Sequence, residues 1–487
     1  MTTSRFRRSR LVLPAAFLMI VSTACAQPDR SAPPLLGPPP SLRLPTIQHL
    51  RLSNGLRVLL LEKHAVPVVQ VNLVVRAGTS MDPAGKGGLA SLTAAMLTDG
   101  AGARNALQLA DAIDFLGARI GATAGQHTTG VQLNVPVARL DSALALLADV
   151  ARRPAFPPAE LDRKRKERLT TLVQWHDEPT RVASVAFWRA LYGSVHPYGN
   201  PTIGSEASLR SITTEDLRKF HAGYFVPGNA TVIVVGDVTP AAMMPRLEKA
   251  FGAWKGKTAS PPALPQIRQI AEKSLTLVDK PGAAQSVIMI GRVGVPRLTD
   301  DYYAITVMNT LLGGSFSSRL NQNLREKHGY TYGAGSGFTF GLLAGPFIAR
   351  ASVQTAVTDK ALVEFMNELR GILEDAPEEE VARARNYLAL GYPGDFQSVG
   401  QIAAQLEELV IYDLPDDYFN NYIGRVLAVT KEQVRRAAQK YIIPDTLAFI
   451  VVGDRKEIEE GVRGLGLAPV TVRSIDDVLG PAPDPGR

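Results

Sequence analysis

The sequence predicts an α+β protein of two duplicated domains, each a mainly antiparallel sheet covered on one face by helices. Three observations predict it. The segment "TTEDLRKFHAGYFVPGNATVIVVGD", ending at Asp237, returns as "TKEQVRRAAQKYIIPDTLAFIVVGD", ending at Asp454. Thr213 and Thr430, Tyr224 and Tyr441, Pro227 and Pro444, and Asp237 and Asp454 are each separated by 217 residues. A constant offset of this length marks a duplication, and each copy reads as a helix, a Pro-containing turn and a buried apolar strand. In "GVQLNVPV", Val131, Leu133, Val135 and Val137 alternate with Gln132 and Asn134, the pattern of a half-buried strand. Finally, "KGKTASPPALPQIRQ" is Pro-rich and aperiodic, a linker between the two copies.

The elements follow in order. Residues 1–25 read as an export signal: Arg5, Arg7, Arg8 and Arg10 precede the apolar core "LVLPAAFLMIV" and the small-residue region "STACAQ". That core is too short for a stable membrane span. Two cleavages compete, one after "ACA" and one that makes Cys25 the lipidated first residue of a lipoprotein. A Pro-rich stretch, 26–45, leads into the first domain, 46–256. There "GLRVLLLE" and "VVQVNLVVR" are strands, "NALQLADAIDFLG" and "RLDSALALLADVARR" are helices, and "IGATAGQHTTGVQLNVPV" is a hairpin. The linker covers 257–272. The second domain, 273–468, opens with the strand "SVIMIGR" and the helix "DYYAITVMNTLLGG", and strands surround "GAGSGFTF" and "GPFIARASVQ". The tail, 469–487, reads as loosely ordered.

Composition narrows the function. With 45% apolar and 20% charged residues, the 487-residue chain is globular and long enough to bury its own core. The formal charge of +7 falls to +3 once the four signal arginines leave, so nothing points to nucleic acid. Cys25 is the one cysteine, so the exported protein has no internal disulfide and is either periplasmic or otherwise exported, with a lipid anchor at Cys25 as the alternative.

Three features together resemble the pitrilysin-like peptidases of family M16, closest to bacterial members with two domains per chain. They are the duplicated halves, the loop "RAGTSMDPAGK" before "GGLASLTAAMLTDG", and the block "LLGGSFSSRLNQNLREKHGYTYG" at 311–333. The resemblance implies the pitrilysin/LuxS-like metallohydrolase fold. In active members the helix matching residues 89–97 carries H-x-x-E-H: two His on one face bind zinc and the Glu is general base. Matching this pattern places Ser91 and Ala95 at the two His positions, Ala94 at the Glu, and Thr171 at the third ligand. All four are degenerate. No two of the seven histidines lie within five residues, and "HDE" at 176–178 reads as a solvated cap, so no metal is expected in this chain and no residue of it is expected to be catalytic.

The resemblance also implies what is kept. In the family an Arg and a Tyr seven residues apart hold the peptide backbone near the scissile bond, and here they are Arg325 and Tyr332 in "LREKHGYTY". Tyr330 lies in the same stretch, but the spacing favours Tyr332. Gly313 and Gly314 read as a helix end, and "DRKRKERL" at 162–169 as a solvated basic face. The expected protein is the non-catalytic, substrate-binding subunit of an exported heterodimeric zinc metallopeptidase. Zinc sits in its partner, an H-x-x-E-H-bearing M16 subunit, and an unfolded peptide is the substrate. The alternatives are a catalytically dead scaffold and a stand-alone peptide-binding protein.

Overall fold

The computed structural model describes residue 37 and residues 41–486, and those from 41 onward belong to one compact unit. The export signal with Cys25 lies outside the described residues. Among the described residues no helix is long and apolar enough to cross a membrane.

In the first half the strands are β1 (Gln48–Arg51), β2 (Arg57–Glu62), β3 (Val68–Val75), the short pair β4 (Gly100–Ala101) and β5 (Arg104–Asn105), β6 (Arg119–Ala124), β7 (Thr129–Pro136) and β8 (Ala230–Gly236). The second half adds β9 (Ser274–Asp279), β10 (Gln285–Val293), β11 (Thr331–Phe338), β12 (Pro346–Gln354), β13 (Ala448–Gly453) and β14 (Val470–Arg473). They build two six-stranded sheets, ordered β1-β2-β8-β3-β7-β6 and β14-β9-β13-β10-β12-β11. Five of the six strands correspond. β2 and β8, and likewise β9 and β13, run parallel, and the three pairs that complete each set of five are antiparallel.

The duplicated segment shows why the halves fold alike. Thr213 and Thr430 cap the helices Thr214–Tyr224 and Lys431–Tyr441, each accepting the N–H three residues on. Asp216 and Gln433 accept the cap N–H in return. Each helix ends at the repeated tyrosine and turns through the repeated proline into β8 or β13.

Both of those strands are buried along their whole length, because each sheet is covered by its own half's helices on one face and meets a helix from the other half on the opposite face. The helix Pro179–Tyr192, from the first half, lies on β10 and β13, where Val182, Val185, Ala186 and Phe187 pack with Met289, Ile450 and Val452. Gly291 permits the contact: a Cβ there would come within 2.8 Å of the Phe187 ring and 2.0 Å of the Phe347 carbonyl oxygen. In return the helix Val399–Tyr412, from the second half, lies on β3 and β8, and its Leu406, Leu409 and Val410 share a core with Ile233 and Val235. Each of these side chains except Ala186 contributes about 1.5–3 kcal/mol by leaving water. The exchange therefore welds the halves together.

The linker has no helix or strand, yet it is fastened. Gln269 Nε2 donates to the Val293 carbonyl at 2.8 Å. The tail departs from expectation. Residues 470–473 add β14 to the edge of the second sheet, and Ser474 caps a short helix, Ile475–Leu479, in a capping box with Asp477. That helix docks on the first half. Arg189 Nη1 donates to the Val478 carbonyl at 2.6 Å, and His176 Nε2 lies 3.0 Å from the Gly480 carbonyl. The sequence signal was "SIDD", a cap whose partner surface lies some 290 residues away.

Candidate functional site

The loop before the helix Leu89–Met96 ends at Gly88, whose φ of 90° closes the turn; a Cβ there would come within 2.5 Å of the Ile203 carbonyl oxygen. Asp82 turns its carboxylate onto the helix start and accepts the N–H groups of Gly88 at 2.7 Å and Ala90 at 2.8 Å. Burial pushes its carboxyl up to about 7, against the opposing pull of those N–H groups and of Arg168.

Ser91 faces the helix Pro158–Trp175. Its Oγ donates to the Thr202 carbonyl at 2.6 Å and accepts from Arg168 Nη1 at 2.9 Å. Arg168 Nη1 also lies 3.2 Å from the Ile203 carbonyl and 3.3 Å from that of Gly88. Burial lowers its guanidinium to about 10, while Asp82 favours the charged form. Ala94 is 1% exposed and offers a methyl group. Thr171 Oγ1 donates to the Glu167 carbonyl one turn back at 3.0 Å, so its hydroxyl serves its own helix.

These residues do not fit zinc. A structural or catalytic zinc takes imidazole, thiolate or carboxylate donors. Here two positions are methyl groups, two are hydroxyls already bonded, and a guanidinium is bonded to the first of them. Among the described residues no group of three or more His, Cys, Asp and Glu side chains stands ready to hold a metal. His176, in "HDE", sits between the Leu172 and Gly480 carbonyls at 3.0 Å each, fixed to the tail rather than capping in solvent.

The basic stretch 162–169 also departs from a simple solvated face. Arg163 pairs with Glu160 and Glu167 on the outside and reaches the buried Asp99. Arg165 and Arg168 turn inward, Arg165 onto the carbonyls of Leu209 at 2.9 Å and Ile212 at 2.8 Å. Nothing local in the sequence separates these inward arginines from their neighbours.

The second set of residues is differently placed. The helix Tyr302–Asn309 runs into a π turn, Thr310–Gly314, so Gly313 and Gly314 are the last two residues of the helical run, and the chain is extended at Ser315. Gly313 presses on β11, where a Cβ would come within 2.2 Å of the Ser336 nitrogen. Asn321 fastens the next turn, donating to the Phe316 carbonyl at 2.8 Å and accepting the Ala334 N–H at 3.2 Å. Arg325 lies in a second π turn, Gln322–Lys327, and stacks 4.5 Å over the Phe316 ring. Its Nη1 approaches Glu326 Oε1 at 3.3 Å but is buried without a hydrogen bond.

Tyr332 stands on edge strand β11. The β11–β12 register slips between Thr331 and Ala334, a bulge that turns Tyr332 outward until it is 90% exposed. Tyr330 is half-buried and stacked on His328 at 4.9 Å. Geometry thus separates the two tyrosines. Arg325 and Tyr332 flank one tight turn, closed by the Gly329 N–H on the Arg325 carbonyl at 3.0 Å, and share no hydrogen bond with each other. No hydrogen bond or ion pair links them to Ser91, Ala94, Ala95 or Thr171, which belong to the other half.

Comparison with known proteins agrees with this architecture. Residues 57–205 match the family model described as Insulinase (Peptidase family M16), and residues 211–388 match Peptidase M16 inactive domain. An uncharacterised zinc protease of Rickettsia felis is 27% identical over 69% of this chain and 81% of its own length. One of Mycobacterium leprae is 28% identical over 70% and 76%. Among solved structures, a peptidase M16 inactive domain from Pseudomonas fluorescens superposes with a TM-score of 0.78 at 28% identity, covering 84% of this chain and 98% of that one. The first half of the periplasmic protease PqqL from Escherichia coli shares the fold at 15% identity, with a TM-score of 0.70 over 89% of this chain and 100% of that one. The two family models meet across a gap of five residues, the first inside the first half and the second running from the last helices and β8 of that half into the second, and the chain belongs to peptidase family M16.

Proposed function

We propose that this chain is the non-catalytic, substrate-holding subunit of an exported, heterodimeric zinc metallopeptidase acting on unfolded peptides. One contrast carries the reading. In the first half the matched positions hold two methyl groups, a hydroxyl bonded to its own helix and a serine bonded to Arg168, while the second half presents Arg325 and Tyr332 with hydrogen-bonding capacity in hand. Arg supplies a permanent charge and Tyr a neutral O–H, and both can polarise a carbonyl oxygen as it gains negative charge. Edge strand β11, paired on one side only, offers a ladder to an extended peptide. The partner is an M16 subunit bearing H-x-x-E-H, whose zinc supplies the activated water. Export is supported by the basic and apolar N-terminal segment and by the fold shared with a periplasmic protease. Whether Cys25 carries a lipid decides between a soluble and an anchored form.

The test is cleavage of a quenched fluorescent peptide by the purified chain with zinc, alone and mixed with an H-x-x-E-H homologue from the same organism. Activity is expected only in the mixture. In that mixture Arg325→Ala and Tyr332→Phe should each lower kcat/KM by about 10²-fold with zinc content unchanged, the loss that follows removal of one oxyanion donor. Normal rates in both variants would remove the assigned role. Activity from the chain alone overturns the non-catalytic reading, and silence in both favours a scaffold.

A further inference from the structure

Next to Arg325 and Tyr332 the second half opens a cavity of about 510 Å³. Val287 and Met289 of β10 line it, Phe316 and Tyr387 stand at it 66% and 55% exposed, and the glycine backbone of 313–314 and 333–335 forms a wall. The glycines make this wall bare: Gly335 and Gly313 approach so closely that a Cβ on Gly335 would lie 2.9 Å from the Gly313 carbonyl oxygen. No Asp or Glu lines the cavity, and its one charged side chain is Arg350 of β12.

Arg350 stands apart from the arginines around it. Arg319 is paired with Glu380 at 2.8 Å, Arg385 with Glu378, and Arg325 approaches Glu326. Arg350 is exposed, and among the described residues it has no ion pair and no hydrogen bond. A guanidinium set in a concave, partly apolar, acid-free wall is a receptor for a carboxylate, which it can bind through two parallel hydrogen bonds.

The internal duplication strengthens the case. By chain order, the 302–309 helix with its π turn, β11 and the helix Glu378–Gly391 correspond to the 89–96 helix, β6 and the 158–175 helix. Those first-half elements carry Ser91, Arg168 and Thr171. The second half is therefore open where the first is closed by its own guanidinium, and Arg350, on β12 rather than on the corresponding helix, lines that opening.

We infer that this cavity is a subsite for an acidic side chain of the bound peptide, with Arg350 as the residue that selects it. The inference rests on the peptide-holding role proposed above. In the β11–β12 ladder Arg350 lies opposite Gly335, three residues along from Tyr332, or roughly 10 Å at strand spacing. A peptide laid along β11 thus places its acidic residue about three positions from the carbonyl held by Arg325 and Tyr332.

The experiment measures fluorescence anisotropy of the full exported chain with an unstructured, otherwise neutral decapeptide carrying Glu at each position in turn, beside matched Gln and Lys series. One position is expected at which Glu binds about tenfold tighter than Gln, the scale of a hydrogen-bonded charge pair. Arg350→Gln should bind the two alike, and Arg350→Lys should restore part of the difference. Thermal melting of each variant separates lost selectivity from lost fold. Equal binding of Glu, Gln and Lys peptides at every position overturns the subsite while leaving peptide holding intact. A Glu preference that survives Arg350→Gln assigns selection to another residue and likewise overturns it. If the wild-type chain binds none of the peptides, the peptide-holding role itself falls, and the subsite with it.

Discussion

Arg168 brings a positive charge to within hydrogen-bonding distance of Ser91, the first of the positions at which the family resemblance places a zinc ligand. The site is thus occupied, not merely stripped of ligands. Two like charges a few ångströms apart in a partly buried place repel strongly, so restoring the ligands alone should not restore the metal. A chain carrying Ser91→His, Ala94→Glu, Ala95→His and Thr171→Glu is expected to purify with little zinc. Adding Arg168→Ala should raise the metal content toward one equivalent, measured by elemental analysis after dialysis. Stoichiometric zinc in the four-fold variant would show that Arg168 yields without cost. At this scale the sequence was partly legible. The sequence offers Ser91, Ala94 and Ala95 as candidate positions because H-x-x-E-H is a local pattern, with both histidines one turn apart on a single helix. Arg168 could not, because its meaning depends on Ser91, Thr202 and Ile203 converging from three parts of the chain. Arg350 was equally silent, a single cation in a strand with nothing nearby in sequence to mark it.

The elements were legible wherever their determinants are short-ranged. The caps at Thr213 and Thr430 and the apolar-rich strands "ATVIVVG" and "AFIVVG" announce helix, turn and strand in both halves. An unbroken apolar run also announces burial on both faces, but not which element supplies the second cover. The 179–192 and 399–412 helices supply it across the molecule, a long-range fact that periodicity does not encode. The tail was misread for the same reason. Four strand residues and a five-residue helix are too short to stand alone, and they are ordered by β9 and by Arg189 and His176. Removing residues 470–487 should uncover the β9 edge and the docking face around Val185 and Arg189. A lower Tm by several degrees is expected in a calorimetric scan, with one cooperative transition retained. An unchanged Tm would mean that the tail rides on the surface without stabilising it.

For the whole molecule, the exchange of helices decides what can exist alone. Residues 46–256 by themselves would expose the apolar face of the 179–192 helix, and also Ile233 and Val235 on β8, to water. Apolar surface of that extent drives association. Separately expressed halves, 46–256 and 273–487, are expected to be insoluble or aggregated, and co-expression should return a 1:1 complex on size-exclusion chromatography. Two monodisperse, independently folded halves would show that the exchanged helices are dispensable. The same arrangement governs how such a chain can diverge. A change on the 179–192 helix is tested against β10 and β13, and one on the 399–412 helix against β3 and β8, so the halves are inherited as a pair and cannot be shuffled like beads on a string. Their chemistry carries no such bond. Ser91 and Arg325 answer to different sheets, which leaves each half at liberty to change its own residues without the other's consent.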